Sequence, residues 1–205
     1  MSERRHEAYG QHGVSWVDRF GVWLSQRAIR RCLPPGNSLA VIELGCGYRA
    51  KLLVALRDRL QRGVGVDFQI DPALQGLAPF TFFEGPIEET LPKLGSGEYD
   101  VVMLISVLEH LADPLSALQA AQRLLKPGGV LLINVPTWRG KFFLEFSAFR
   151  LGLSPKVEMD DHKMYYDKRD LWPLLVKAGF QPSRIALRYH KFGLNLFATA
   201  TRSDA

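Results

Sequence analysis

Residues 41–47 read Val-Ile-Glu-Leu-Gly-Cys-Gly. An apolar run ends in an acid, and two glycines follow with one residue between them. Twenty residues after Gly47, Asp67 closes a second apolar run, Gly-Val-Gly-Val-Asp. A buried strand that feeds a glycine turn lets a ligand approach the main chain, because no side chain intervenes. The helix that follows turns its free N–H groups and positive dipole end toward that ligand. An acid at the tip of the next strand can then accept hydrogen bonds from two ribose hydroxyls. The pattern predicts a nucleoside-cofactor site on an α/β sheet.

The rest of the chain supports that architecture. An amphipathic helix is predicted over 13–33, with Val14, Val17, Phe20, Leu24 and Ile29 near helical spacing. Pro34-Pro35-Gly36-Asn37 stops it. Strands are then predicted at Leu39–Leu44, Val64–Asp67, Phe80–Phe83, Val101–Ile105 and Val130–Val135. Helices are expected near Ala50–Leu60 and Pro114–Leu125, the latter stopped by Lys126-Pro127-Gly128-Gly129. The five strands are continuous apolar runs, the mark of a parallel sheet covered on both faces. A helix near Lys168–Ala178 leads into Ile185–Tyr189 and Leu194–Thr201. Their short Lys191-Phe192-Gly193 link predicts an antiparallel hairpin. With 205 residues, 47% of them hydrophobic, the chain suits a single domain over 1–205. Residues 1–36 form an expected helical cap. Residues 136–165 form an insertion at the carboxyl end of the sheet, where substrate contacts cluster.

Glu43-Leu44-Gly45-Cys46-Gly47 resembles the first motif of the class I S-adenosylmethionine-dependent methyltransferases of small-molecule type. Gly65-Val66-Asp67 resembles their second-strand motif. Tyr99-Asp100-Val101-Val102 through Val107-Leu108-Glu109-His110-Leu111 resembles the fourth-strand motif, and Leu124-Leu125-Lys126-Pro127-Gly128-Gly129 the turn before strand five. The resemblance covers about residues 37–135 and extends more weakly to 202. It implies a Rossmann-like, mostly parallel seven-stranded sheet of order 3-2-1-4-5-7-6 with strand 7 antiparallel and helices on both faces. It also implies S-adenosyl-L-methionine as cofactor and an enzyme that transfers methyl groups. The rival is a nicotinamide-binding enzyme, for which Gly45-x-Gly47-x-x-Ala50 and Asp67 fit a loose fingerprint. Glu43 argues against it, since an acid beside a pyrophosphate is repelled.

By the same resemblance, Gly45, Cys46 and Gly47 pack against the cofactor's amino-acid part and sugar. Asp67 takes both ribose hydroxyls. Glu43 either orients the glycine turn by accepting its N–H groups or holds the methionine ammonium through water. Ser106 offers a backbone carbonyl to that ammonium. The chain departs from the family at Glu84-Gly85-Pro86-Ile87-Glu88, where Pro86 replaces the acid that reaches the adenine amino group. Adenine is expected instead against Phe68 and Ile87, with Glu88 as a substitute acid.

Methyl transfer from a sulfonium is an in-line displacement that needs alignment and exclusion of water. A hydroxyl acceptor also needs a base. The candidate bases are His110, after strand four, and His162, within Asp160-Asp161-His162. Phe142, Phe146, Phe149 and Leu153 share one helical face, read as core packing, as a lid over an apolar acceptor, or as a membrane-surface helix flanked by Arg139, Lys141 and Arg150. The expected partner is a small or lipid-like methyl acceptor, O- or N-linked, with no DNA. The alternatives are a methyltransferase acting on RNA or protein, and a non-catalytic partner domain that keeps the fold. The net charge of +5 is concentrated at the ends, which admits an anionic partner. His/Cys spacing gives no metal site. Cys32 and Cys46 suggest no disulfide framework and a reducing cytoplasm. No apolar run reaches the ~18 residues of a membrane helix, and the N-terminus lacks the apolar segment of a signal peptide.

Overall fold

The computed structural model describes residues 16–141 and 163–204. Seven strands form one sheet in the order β3-β2-β1-β4-β5-β7-β6. They are β1 (Leu39–Leu44), β2 (Leu60–Asp67), β3 (Phe80–Glu84), β4 (Tyr99–Ile105), β5 (Leu125–Pro136), β6 (Ile185–His190) and β7 (Asn195–Thr201). β1 to β5 pair in parallel, and β7 runs antiparallel between β5 and β6. The order implied by the resemblance is therefore the order observed. The helices are α1 (Trp16–Cys32), α2 (Lys51–Val54), α3 (Ile87–Thr90), α4 (Pro114–Leu124) and α5 (Lys168–Lys177).

Successive strand residues point to opposite faces, and both faces are dry. Ile42, Leu44, Val102, Leu104 and Ile133 pack with Leu118 of α4 and Leu171 and Leu175 of α5. Val41, Val101, Met103, Ile105, Leu132 and Phe197 pack with Ile29 of α1 and Leu53 of α2. A strand buried on both sides needs apolar residues at every position, which is why these runs do not alternate. Each such side chain contributes about 1.5–3 kcal/mol by leaving water. The parallel strands all end at one edge, and the turns at that edge carry the signature residues.

Two predicted elements change shape. The helix expected near Ala50–Leu60 is only α2, followed by a 3-10 turn at Arg57–Arg59. Leu60 pairs with Leu39 as the first residue of β2, so sheet pairing ends the helical path early. The expected stop at Lys126–Gly129 lies inside β5. Leu125 already pairs with Tyr99, and the register shifts before Val101. Gly128 N–H donates to the Arg202 carbonyl at 3.1 Å, and Arg202 N–H returns a bond to Gly129 at 2.9 Å. Here the glycines form a kinked strand start tied to the end of β7. The hairpin link Lys191–Gly193 is a 3-10 turn in which Lys191 and Phe192 have positive φ. Phe142, Phe146, Phe149 and Leu153 lie outside the described residues, as does His162.

Candidate functional site

The glycine turn is stapled to the end of β2. The amides of Gly45 and Cys46 both donate to the Val66 carbonyl, at 2.8 and 3.1 Å. Gly45 and Gly47 have φ of 74° and 75°, a region that side chains rarely enter. At Gly45 a Cβ would come within 2.3 Å of Val107 Cγ2. The turn after β1 thus rests directly on the turn after β4. Cys46 is buried with its thiol against the Gly65 backbone. Burial first, then the Glu43 and Asp67 carboxyls, push that thiol's pKa up, so it packs as a small apolar group.

Asp67 is the acceptor at the centre. Its Oδ2 takes the Gly47 amide at 2.6 Å and its Oδ1 takes the Phe68 amide at 2.8 Å. Each oxygen keeps a lone pair for a further donor. Burial raises this carboxyl's pKa, and the two amide bonds oppose the rise. Glu43 lies one residue short of the β1 tip and is 1% exposed. Its Oε2 accepts from Leu53 N at 3.1 Å. That bond anchors α2, an N–H partner outside the glycine turn. Desolvation raises the Glu43 carboxyl well above the ordinary range; the Leu53 amide opposes this and Asp67 adds to it.

Around this centre, Phe68 is exposed and Ile87 is buried in the core. Pro86 is the extended residue that precedes α3, and its carbonyl accepts from Thr90 Oγ1 at 3.0 Å. Glu88 is exposed. Ser106 follows β4 with φ 56°, a strained conformation for a residue with a side chain. Its amide donates to the Asn134 carbonyl at 2.7 Å. His110 is exposed at the end of the 3-10 turn Leu108–His110.

A second group of residues emerges only in three dimensions. Glu109 is 1% exposed, and its Oε2 has no hydrogen-bond partner among the described residues. Desolvation pushes its carboxyl up to about 8, while Lys191 pulls the other way. Asn134 is fully buried, with neither amide atom partnered among the described residues. His190 has an Nε2 with no partner among the described residues and sits edge-on to Phe197, 5.8 Å between ring centres. Burial, then the cations Lys191 and Arg188, bring its pKa down to about 4. Orphaned buried polar atoms are rare in folded proteins. Leu108-Glu109-His110 was visible in the sequence, but the burial of its middle residue was not.

Residues 16–184 match the family described as Methyltransferase domain. The chain belongs to this methyltransferase family. Together with the sheet order, this places it among the class I S-adenosylmethionine-dependent methyltransferases. A ubiquinone biosynthesis O-methyltransferase of Pseudomonas aeruginosa is 33% identical over 109 residues, covering 53% of this chain and 39% of that protein. One from Acinetobacter baylyi is 28% identical over 134 residues, covering 60% and 56%. The chain thus spans about half the length, or less, of these curated relatives. A chain from the Haloferax volcanii complex of the Trm112 methyltransferase activator with a methyltransferase superposes with a TM-score of 0.72. It is 18% identical, with 91% of each chain covered. An S-adenosylmethionine-dependent methyltransferase from Thermotoga maritima gives 0.66 at 19% identity, covering 91% and 92%. The methyltransferase fold suits an adenosyl group here. The glycine cradle admits close approach, and the Asp67 carboxylate at its rim retains acceptor capacity. Among the described residues no cluster of His, Cys, Asp and Glu could hold a metal ion, and no helix is long and apolar enough to cross a membrane.

Proposed function

We propose that this chain transfers a methyl group from S-adenosylmethionine to the oxygen of a small or lipid-like acceptor. The observation that carries the reading is the Gly47 amide held by Asp67 Oδ2 at 2.6 Å, inside a turn bonded to Val66. That joint presents main chain and carboxylate to one ligand. Asp67 holds the ribose hydroxyls. Gly45, Cys46 and Gly47 form the floor beneath the amino-acid part, Phe68 and Ile87 flank the adenine, and the Ser106 carbonyl takes the ammonium. Glu43 acts from behind by fixing α2. Bound S-adenosylmethionine supplies a methyl group already activated on sulfonium.

An oxygen acceptor is favoured by the curated relatives, which are O-methyltransferases. Within the domain over 1–205, we read residues 1–36, of which α1 is described, as the cap, and 136–165 as the acceptor-side insertion. The two cysteines are free, which suits a cytoplasmic setting. Calorimetry with adenosylhomocysteine tests the cofactor site. Micromolar binding is expected, and no heat would leave a non-catalytic scaffold. A labelled-methyl assay against small hydroxyl compounds and lipids then identifies the acceptor.

A further inference from the structure

The sheet ends in two edges that are built differently. Among the described residues β3 pairs only with β2, and β6 only with β7. β6 carries Arg188 in mid-strand and lies between Arg184 and Lys191. Lys168 Nζ covers the Tyr189 ring at 5.2 Å. Charges of this kind keep a foreign strand away. β3 reads Phe-Thr-Phe-Phe-Glu, uncharged until its last residue, and it pairs with β2 without a bulge. Thr81 and Phe83 are exposed on one of its faces. Phe80 and Phe82 stack on the other, 6.0 Å between ring centres.

The phase of the ladder shows what the β3 edge offers. Gly63 N–H donates to the Pro79 carbonyl at 3.0 Å, and Gly85 N–H to the Asp67 carbonyl at 2.9 Å. The odd-numbered residues of β3 therefore bond to β2, and the main-chain groups of Phe80, Phe82 and Glu84 point away from it. The Phe80 amide is taken by the Leu77 carbonyl at 2.9 Å. Among the described residues, the Phe80 carbonyl and both groups of Phe82 and Glu84 remain for a further strand.

Charge selects that strand. The carboxyl end of this edge carries the exposed Glu88 and Glu89 of α3. The amino end carries Arg57, ahead of β2, and Lys93, ahead of β4, both exposed. Asp58 and Glu98, the acids at the amino end, are answered by Arg30 at 2.7 Å and Arg62 at 2.9 Å. An antiparallel neighbour of the same kind sets acids beside bases at both ends, whereas a parallel one sets like beside like. We propose that a second copy of this chain docks here, β3 against β3 and antiparallel, so that a two-fold axis closes the pair into one continuous sheet. Centred on Phe82, the axis pairs Phe82 with itself through two main-chain bonds. Glu84 N–H then donates to the Phe80 carbonyl of the other copy, in both directions. Thr81 faces Phe83 of the other copy, a β-branched and aromatic pair. The two Glu84 carboxylates lie about 14 Å apart along the strands, beyond the screening length of about 8 Å. Strands of 5 residues make a small interface, so the dissociation constant is expected at about 10–100 μM.

Sedimentation equilibrium of the full chain from about 5 to 500 μM tests this. Wild type should pass from 23.1 kDa toward twice that mass and stop there. Thr81→Lys should weaken association about 10-fold or more, with an unchanged thermal melt. Ala186→Lys, on β6, should leave association as it is. Cross-linking reads the register separately. Facing residues of a pair without main-chain bonds lie about 4.5 Å apart between Cα atoms, close enough for a disulfide. A mixture of Thr81→Cys and Phe83→Cys should therefore form a linked dimer on oxidation. Each variant alone should form far less, as should the wild type with its Cys32 and Cys46. A wild type that keeps the monomer mass throughout overturns the second copy as occupant. So do growth past the dimer, association lost in Ala186→Lys but kept in Thr81→Lys, and linkage as strong in either single variant as in the mixture.

Discussion

The Gly47 amide donates to Asp67 Oδ2 at 2.6 Å, so two signatures twenty residues apart form one object. β1 and β2 pair in register from Val41↔Gly63 to Leu44↔Val66, which brings their tips level. The glycine turn then closes onto the acid. Substituting Asp67 with Ala removes a charged acceptor from the turn and, on the proposed reading, from the ribose. Adenosylhomocysteine binding should weaken by roughly 1.5–3 kcal/mol, read by calorimetry. Unchanged affinity would remove Asp67 from the ribose role.

Gly45→Ala addresses the cradle itself. The new methyl would meet Val107 Cγ2 at 2.3 Å on a backbone with φ 74°. A left-handed penalty and overpacking add to about 2–4 kcal/mol of lost stability. A thermal melt should show a drop of about 5–15 °C, together with weaker cofactor binding. An unaltered melt would mean that Val107 yields freely.

Phe68 and Ile87 should separate. Phe68 is 37% exposed and Ile87 is 8% exposed. Phe68→Ala is expected to reduce adenosylhomocysteine affinity while moving the melting temperature little. Ile87→Ala removes a core side chain and should destabilise by about 2–4 kcal/mol. If Phe68→Ala leaves affinity intact, adenine lies elsewhere.

Glu109 gives the protein a dependence on pH with a definite sign. Burial lifts its folded pKa to about 8 from an ordinary 4.5. Between those values the unfolded chain releases a proton that the folded chain retains, so this carboxyl's contribution to stability is lost as pH rises toward 8. His190, brought down to about 4, works in the opposite sense, since its contribution is lost as pH falls below 6.5. The melting temperature of Glu109→Gln relative to wild type isolates the first effect. That difference should grow from pH 4.5 to pH 8 and then level off. A constant difference would show that the carboxyl is solvated.

Much of the fold was legible because buried parallel strands admit only apolar residues. β1 was predicted at its observed bounds, Leu39–Leu44, and the hairpin of β6 and β7 was visible in its short link. The failures share a cause. Leu60 looks helical locally but is held by its partner Leu39 across the sheet. Lys126-Pro127-Gly128-Gly129 does follow the end of α4 at Leu124, but the turn expected before Val130 is held as strand by Arg202. Hydrogen bonds to distant residues outweighed local preference in both places.

The sequence alone determined the α/β architecture, the glycine turn and the acid at 67, because each is written in short local runs of apolar residues, glycines and a closing acid. The partner of Glu43 was decided only by folding, since two carboxylate roles fit the same position and the Leu53 amide became available only once α2 had packed. The same holds for Glu109, Asn134 and His190. Whether a polar atom is orphaned depends on what surrounds it from other strands, and burial is a property of the assembled molecule.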